Sequence, residues 1–421
     1  MSITVLPVDL KIKLLELCPQ LRYVFPELRE LLKYFNKKEY LEYPTIKNYF
    51  MKTRIVEYQG IYLCLKIKNW DCIFKMVEGT WSSESVTFHP SLPYFTVGCR
   101  NNNGLFMEIS ENKTVDTIFT FEGYSNYIQT TTFHPFLPIM ATGDDGVIKL
   151  WNIENLNEHY CFAILREHVK KIHLILFHPK LPILVSMCVD RKIILWKIND
   201  FSNPTIIITL HEEFDTFNSF TFHPSKPFFL TGRNHVKLWK IDEEWNVIHQ
   251  ATFEENQYIL TLKMHPTLPL LATNKINNFI SLRRINNEFT DAIFIDDIDS
   301  VISNEYSMAF HPTLPIITMC STDCTIKLCR ISDENTVECI TLITGHTQKV
   351  HAMSFHLTLP LFVTGSNDNT AKIWRISENG KIEDIITTLK GYCFAICVVN
   401  FHSKLPILFT MCADRTIQIW K

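Results

Sequence analysis

Eight histidines recur in one context along the chain: His89, His134, His178, His223, His265, His311, His356 and His402. Gathered together, such a set would bind metal. Ligation needs three or four donors within about 2–2.5 Å of one ion. The intervals between them are 45, 44, 45, 42, 46, 45 and 46 residues, so each belongs to its own copy of a repeating unit, and successive units hold their histidines apart. A second set invites a hydrolase reading. His168 is followed by Ser186 and Asp190, and His346 by Thr364 and Asp368, at offsets of 18 and 22. A hydroxyl, an imidazole and a carboxylate can form a nucleophilic triad. Here the set occurs twice, each time with a tryptophan (Trp196, Trp374) at offset 28, which suits a repeated structural network better than one catalytic centre. The thirteen cysteines include no Cys-x-x-Cys pair, so a zinc site is not expected. Cys188, Cys320 and Cys412 each follow a Met in an apolar run and read as small buried hydrophobes. No catalytic, cofactor or metal residues are expected, and the chain reads as a non-enzyme.

The elements that must carry these residues follow from the repeat. The motif reads FHPSLP at 88–93, FHPFLP at 133–138, FHPKLP at 177–182, FHPSKP at 222–227, MHPTLP at 264–269, FHPTLP at 310–315, FHLTLP at 355–360 and FHSKLP at 401–406. A fixed period near 45 means one supersecondary unit copied eight times. Each copy has an apolar run ending in Phe, then the Pro-rich turn, where fixed φ and missing N–H groups exclude a strand interior. A second apolar run follows (ILVSMC at 183–188), then a polar turn, a third run (KIILW at 192–196) and a weaker fourth one (CITLIT at 339–344). Four short strands per unit is the count for one propeller blade.

These units resemble WD repeats, over residues 71–421. The resemblance implies an all-β, eight-bladed propeller at 61–421. It also implies a buried tetrad in well-formed blades: His before the first strand, Ser or Thr in the second, Asp in the following turn, Trp in the third. His168, Ser186, Asp190 and Trp196 match it, as do His346, Thr364, Asp368 and Trp374. The last unit has Thr410, Asp414 and Trp420, with Tyr392 in place of the His. Units one, five and six depart at the Trp position, read here as Ile109, Arg283 and Cys329. The last unit stops after its third strand, and 71–79 (DCIFKMVEG) supplies an unpaired strand. Counting therefore expects 71–79 to complete the last blade, since closure removes exposed edges.

Residues 1–60 do not follow the repeat. Apolar residues at helical spacing and prolines at helix starts predict a small α-helical segment. Its opening resembles an F-box through Leu6, Pro7, Leu10, Leu14 and Leu17. That resemblance implies binding to an adaptor of cullin-type ubiquitin ligases; the other reading is a helical cap.

Composition bounds the partners. Net charge is −3 and apolar residues make up 46 %, which gives no general attraction to nucleic acid. No run of eighteen apolar residues predicts a membrane span. An odd cysteine count without a secretory leader points to a reducing compartment, cytosol or nucleus. The expected function is a protein-interaction scaffold binding protein or peptide partners, the alternative being a ubiquitin-ligase substrate receptor. In the turns between second and third strands, Arg100, Arg191, Arg233 and Arg415 could bind carboxylate or phosphate.

Overall fold

The computed structural model describes residues 70–76, 83–99, 102–198, 203–211, 219–255, 257–276, 279–299, 308–320, 324–377 and 379–421. Residues 1–69, with the helical segment and the five F-box-like positions, lie outside the described residues.

Proline-rich turns and apolar runs alternate in the chain, and the structure turns that alternation into eight antiparallel sheets of four strands each. Strands are called a to d in chain order within a blade. In blade seven they are Val350–Phe355, Leu361–Ser366, Ala371–Ile376 and Ile382–Leu389. Blades one to six span residues 83–121, 130–165, 172–211, 219–254, 259–299 and 308–343. In blade eight, strands Ile396–Phe401, Leu408–Cys412 and Ile417–Trp420 are joined by Cys72–Met76 as the outer strand. Cys72 pairs with Trp420 and Met76 with Ile417. Backbone bonds in both directions between Asp71 and Lys421 extend the pairing. The two ends of the propeller thus share one sheet.

The strength of each apolar run tracks its place in the blade. Strand b is covered on both faces by neighbouring blades, and Ile183–Cys188 and Leu361–Ser366 are buried throughout. Near-continuous hydrophobic sequence is what two buried faces require. Strand d is outermost and partly open to solvent, as at Glu338, Cys339 and Leu342 of Val337–Ile343, which makes its run weak. The core lies between blades: Phe95, Val97 and Ile109 of blade one pack with Phe409, Ile417 and Ile419 of blade eight. Close approach there requires glycine. A Cβ on Gly98 would lie 2.6 Å from Ile128 O, and one on Gly365 2.7 Å from Ile396 Cγ2.

Blade five, the most divergent in sequence, carries all four strands, the last being Ala292–Asp299. The register corrects one expectation. In blade one Met107, not Ile109, holds the Trp position: Phe95 pairs with Met107 as Phe362 pairs with Trp374. Ile109 lies two residues on, where its N–H bonds Pro93 O, the role of Ile376 toward Pro360 in blade seven.

Candidate functional site

The repeated histidines act as staples between blades. In all eight, Nδ1 accepts the N–H groups two and three residues on, at 2.9–3.2 Å, which folds the His-Pro turn onto the ring. Nδ1 is therefore unprotonated, and Nε2 carries the hydrogen. Nε2 donates to the turn of the following blade in four cases: His178 to Lys226 O, His265 to Leu314 O, His356 to Leu405 O and His402 to Leu92 O, at 2.7–3.2 Å. The bond from His402 joins blade eight to blade one. Seven rings also pack against the motif Phe of the next blade, with centroids 4.8–5.4 Å apart. The exception is His223, whose next motif begins with Met264; it packs on Phe289 instead. Burial lowers the pKa of His89, His134, His178, His223, His311 and His356 to about 4. The Nδ1 lone pair of each motif histidine is spent on its own turn.

A second ring of contacts uses the residue after the Trp position. Arg284 reaches Asn335 Oδ1 and Ser332 O in blade six, and Arg330 reaches Asn379 O in blade seven. Lys421 reaches Ser110 O in blade one, and Lys197 lies 4.2 Å from the centre of the Trp245 ring in blade four. These cations give no periodic signal of their own, and the sequence reading passed over them.

On the opposite face, where b–c and d–a turns meet, the tetrads are assembled. In blade three His168 Nδ1 is 3.0 Å from Asp190 Oδ2, its Nε2 is 2.8 Å from Ser186 Oγ, and Trp196 Nε1 donates to Ser186 Oγ at 3.0 Å. Blade seven repeats this with His346, Thr364, Asp368 and Trp374 at 2.8, 2.8 and 2.9 Å. Each carboxylate also accepts the N–H of the residue after the His, so it pins the d–a turn. Burial lowers the pKa of both histidines against the pull of their carboxylates. For Asp190 burial opposes ionisation, but bonds from His168 and the Val169 N–H outweigh it and the pKa falls. Ser186 is 0 % exposed, so no substrate reaches the hydroxyl that a hydrolase would need.

Other blades keep the frame with different chemistry. Tyr124 and Tyr392 replace the His in blades two and eight, bonding Thr142 and Thr410 at 2.5 and 2.8 Å while Trp151 and Trp420 donate to the same hydroxyls. In blade five Glu255, Thr273 and Arg283 stand where His, Thr and Trp stand elsewhere. Arg283 Nε lies 3.0 Å from Glu255 Oε1, and Lys275 Nζ lies 2.8 Å from Glu255 Oε2. An ion pair thus fills the space of an imidazole and an indole.

His168, Cys188 and Asp190 bring three potential metal ligands within 4.8 Å of one another. The comparison with blade seven explains the group. Cys188 Sγ donates to Lys170 O and accepts the Asp190 N–H, and Ser366 Oγ does both jobs toward Gln348 O and Asp368 N. The thiol is a turn fastener.

Arg100 lies outside the described residues. Arg191 and Arg415 occupy the same place in the b–c turns of blades three and eight, with left-handed φ of 71° and 66°. Asn102 and Asn369 fill it in blades one and seven. Arg233 is in the shorter turn of blade four, its guanidinium 5.8 Å from the centre of the Tyr258 ring. The ring of blades spaces these arginines; they do not form one cluster.

The family described as WD domain, G-beta repeat, matches residues 116–152 and 337–375. Pre-mRNA-processing factor 19 of Oryza sativa subsp. japonica is 27 % identical over 209 residues, which is 46 % of this chain and 38 % of that protein. DDB1- and CUL4-associated factor 13 of Dictyostelium discoideum is 30 % identical over 128 residues, 29 % of this chain and 28 % of that protein. The chain therefore spans well under half the length of these relatives. Among solved structures, Chaetomium thermophilum Sqt1 bound to the N-terminus of the ribosomal protein L10 aligns with a TM-score of 0.67 at 14 % identity, covering 83 % of this chain and 99 % of that one. The C-terminal WD40 domain of Sif2 aligns with a TM-score of 0.68 at 13 % identity, covering 83 % and 97 %. Repeat period, blade topology and the recurring tetrad agree with these matches: the chain carries WD repeats within an eight-bladed β-propeller.

Proposed function

We propose that the protein is a non-catalytic scaffold that binds an acidic or phosphorylated segment of a partner protein on the face formed by the b–c and d–a turns. The observation that carries the reading is the backbone at Arg191 and Arg415. A left-handed conformation costs a residue with a Cβ about 1–2 kcal/mol, and Asn tolerates it better. Two blades use Asn there, one uses Gly146, one Cys324, and two place a guanidinium. A guanidinium held in that conformation at the turn is the reason for placing the binding function there.

The surroundings fit. The turns that carry Arg191 also hold Arg166, Lys170, Lys171 and Lys192, against Glu167, the tetrad carboxylate Asp190 and Asp145, which forms a β-bridge with Lys171. Val169, 76 % exposed, and Val189 are apolar positions among them. A basic patch with an apolar centre suits an acidic segment carrying one or two apolar side chains. Sqt1, whose fold is similar, holds a protein N-terminus. The test is binding to an arrayed library of acidic, phosphorylated and neutral peptides. The wild type should select acidic or phosphorylated members with salt-dependent affinity, and a variant with Arg191, Arg233 and Arg415 changed to Asn should lose that selection. Equal binding by both proteins would sink the proposal.

A second reading is favoured by the local likeness to a cullin-associated factor: a substrate receptor in which Leu6, Pro7, Leu10, Leu14 and Leu17 contact a ubiquitin-ligase adaptor. Its test is purification of partners with the full chain and with a chain lacking residues 1–60. An adaptor recovered only with the full chain would support it. In either reading the place of action is a reducing compartment, cytosol or nucleus, in keeping with free thiols at all eleven cysteines among the described residues.

A further inference from the structure

Blade six departs from the tetrad in a way its neighbours do not. Met319 stands at the hydroxyl position and Cys329 at the Trp position. Directly across the sheet, Cys329 of strand c (Ile326–Ile331) pairs with Cys339 of strand d (Val337–Ile343). The matching pairs elsewhere are Trp374 with Ile385, Trp196 with Ile206 and Trp151 with Cys161. Among the described residues, blade six alone puts thiols on both sides of this pair.

Directly opposed residues in an antiparallel pair send their side chains to the same face, with Cα atoms about 4.5–5.5 Å apart. A disulfide spans Cα distances of about 4.4–6.8 Å, which covers the spacing of paired residues, here at the β-bulge between Leu328 and Cys329. Both residues are free thiols; Cys329 is buried and Cys339 is exposed. The two thiols are close enough to hydrogen-bond to each other.

We propose that Cys329 and Cys339 form a reversible oxidation site that takes a hydroperoxide and closes to a disulfide across blade six. The Cys339 thiol gives up its proton, its sulfur attacks one oxygen of hydrogen peroxide, the O–O bond breaks, and Cys339 becomes a sulfenic acid while the departing hydroxide takes that proton and leaves as water. Cys329 sulfur then attacks the Cys339 sulfur, and the S–O bond breaks. The departing hydroxide takes the Cys329 proton and leaves as a second water. Two thiols lose two electrons and two protons in all, and the peroxide receives them. Cys339 is the entry point because it is the accessible member, and Cys329 resolves it from beneath.

The test uses the full chain, reduced and desalted, then exposed to hydrogen peroxide, with remaining thiols alkylated before trypsin digestion and mass spectrometry. Arg330 separates the two cysteines, so the disulfide joins peptide 328–330 to peptide 331–349. The joined pair should weigh one pair of hydrogens less than the sum and should account for more than half of the Cys329 recovered. Dithiothreitol should abolish it. In Cys329→Ser, Cys339 should instead persist as a sulfenic acid that dimedone captures. Recovery of Cys329 alkylated on its separate peptide after excess peroxide, or of Cys339 joined to any other cysteine, would overturn the assignment.

Discussion

Lowering the pH from 7.5 to 5.5 should weaken the propeller far more than its near-neutral net charge suggests. Six motif histidines are held by burial at a pKa of about 4, against about 6.5 for histidine in an unfolded chain. Between those values the unfolded chain binds more protons than the native one, so stability rises with pH across the window and falls as pH drops through it. The contribution is fully present above about pH 6.5. At pH 5.5 each histidine costs about 1.4 kcal/mol relative to neutral pH. The motif turns lie at the edge of the ring, where water screens part of this, and halving the effect leaves about 4 kcal/mol for the six. Geometry gives the same sign, because Nδ1 already accepts two N–H groups and has no room for a proton. Urea unfolding followed by tryptophan fluorescence at pH 7.5, 6.5, 6.0 and 5.5 measures it. The midpoint should hold to about pH 6.5 and then fall steeply. A midpoint unchanged down to pH 5.5 would refute the idea that neutral histidines staple the blades.

Four further changes test other parts of the fold. Thr364→Val removes the acceptor of the Trp374 indole and the partner of His346, and with each orphaned buried group costing about 1–3 kcal/mol, thermal unfolding should register a loss of at least 2 kcal/mol. Glu255→Ala leaves Lys275 and Arg283 facing each other without their shared carboxylate, a loss of about 3 kcal/mol in urea unfolding; an effect under 1 kcal/mol would mean the ion pair is not buried as described. Removing residues 71–79 strips the outer strand from Ile417–Trp420, and a midpoint lowered by about 5 °C or more is expected in calorimetry. Arg191→Asn should raise stability by about 0.5–1 kcal/mol by relieving the left-handed turn.

What was legible in the sequence is what repeats. The His-Pro turns and the four apolar runs per unit led to eight four-stranded blades because each unit solves the same packing problem. The two full tetrads were readable because their offsets agree in blades three and seven. What does not repeat in residue type stayed hidden. Arg283 was read at the Trp position of unit five, but Glu255 at the His position was not, because an offset search for His does not find a carboxylate that pairs with a cation. Ile109 was taken for the Trp position because it ends an apolar run, whereas the pairing of Phe95 with Met107 sets the register. The motif histidines were read as turn residues, and the half of their role that crosses to the next blade depends on ring geometry that spacing alone does not contain.

Chemical cross-linking of the endogenous complex through lysine, with mass spectrometry of the linked peptides, tests the central claim most directly. The turns of the proposed binding face carry Lys170, Lys171, Lys192, Lys349 and Lys390, while the His-Pro face carries Lys113, Lys180, Lys226, Lys381 and Lys404. Partner links concentrated on the first five, and lost when Arg191, Arg233 and Arg415 are changed to Asn, are the predicted result. Links confined to the second five, unchanged by those substitutions, would contradict the account.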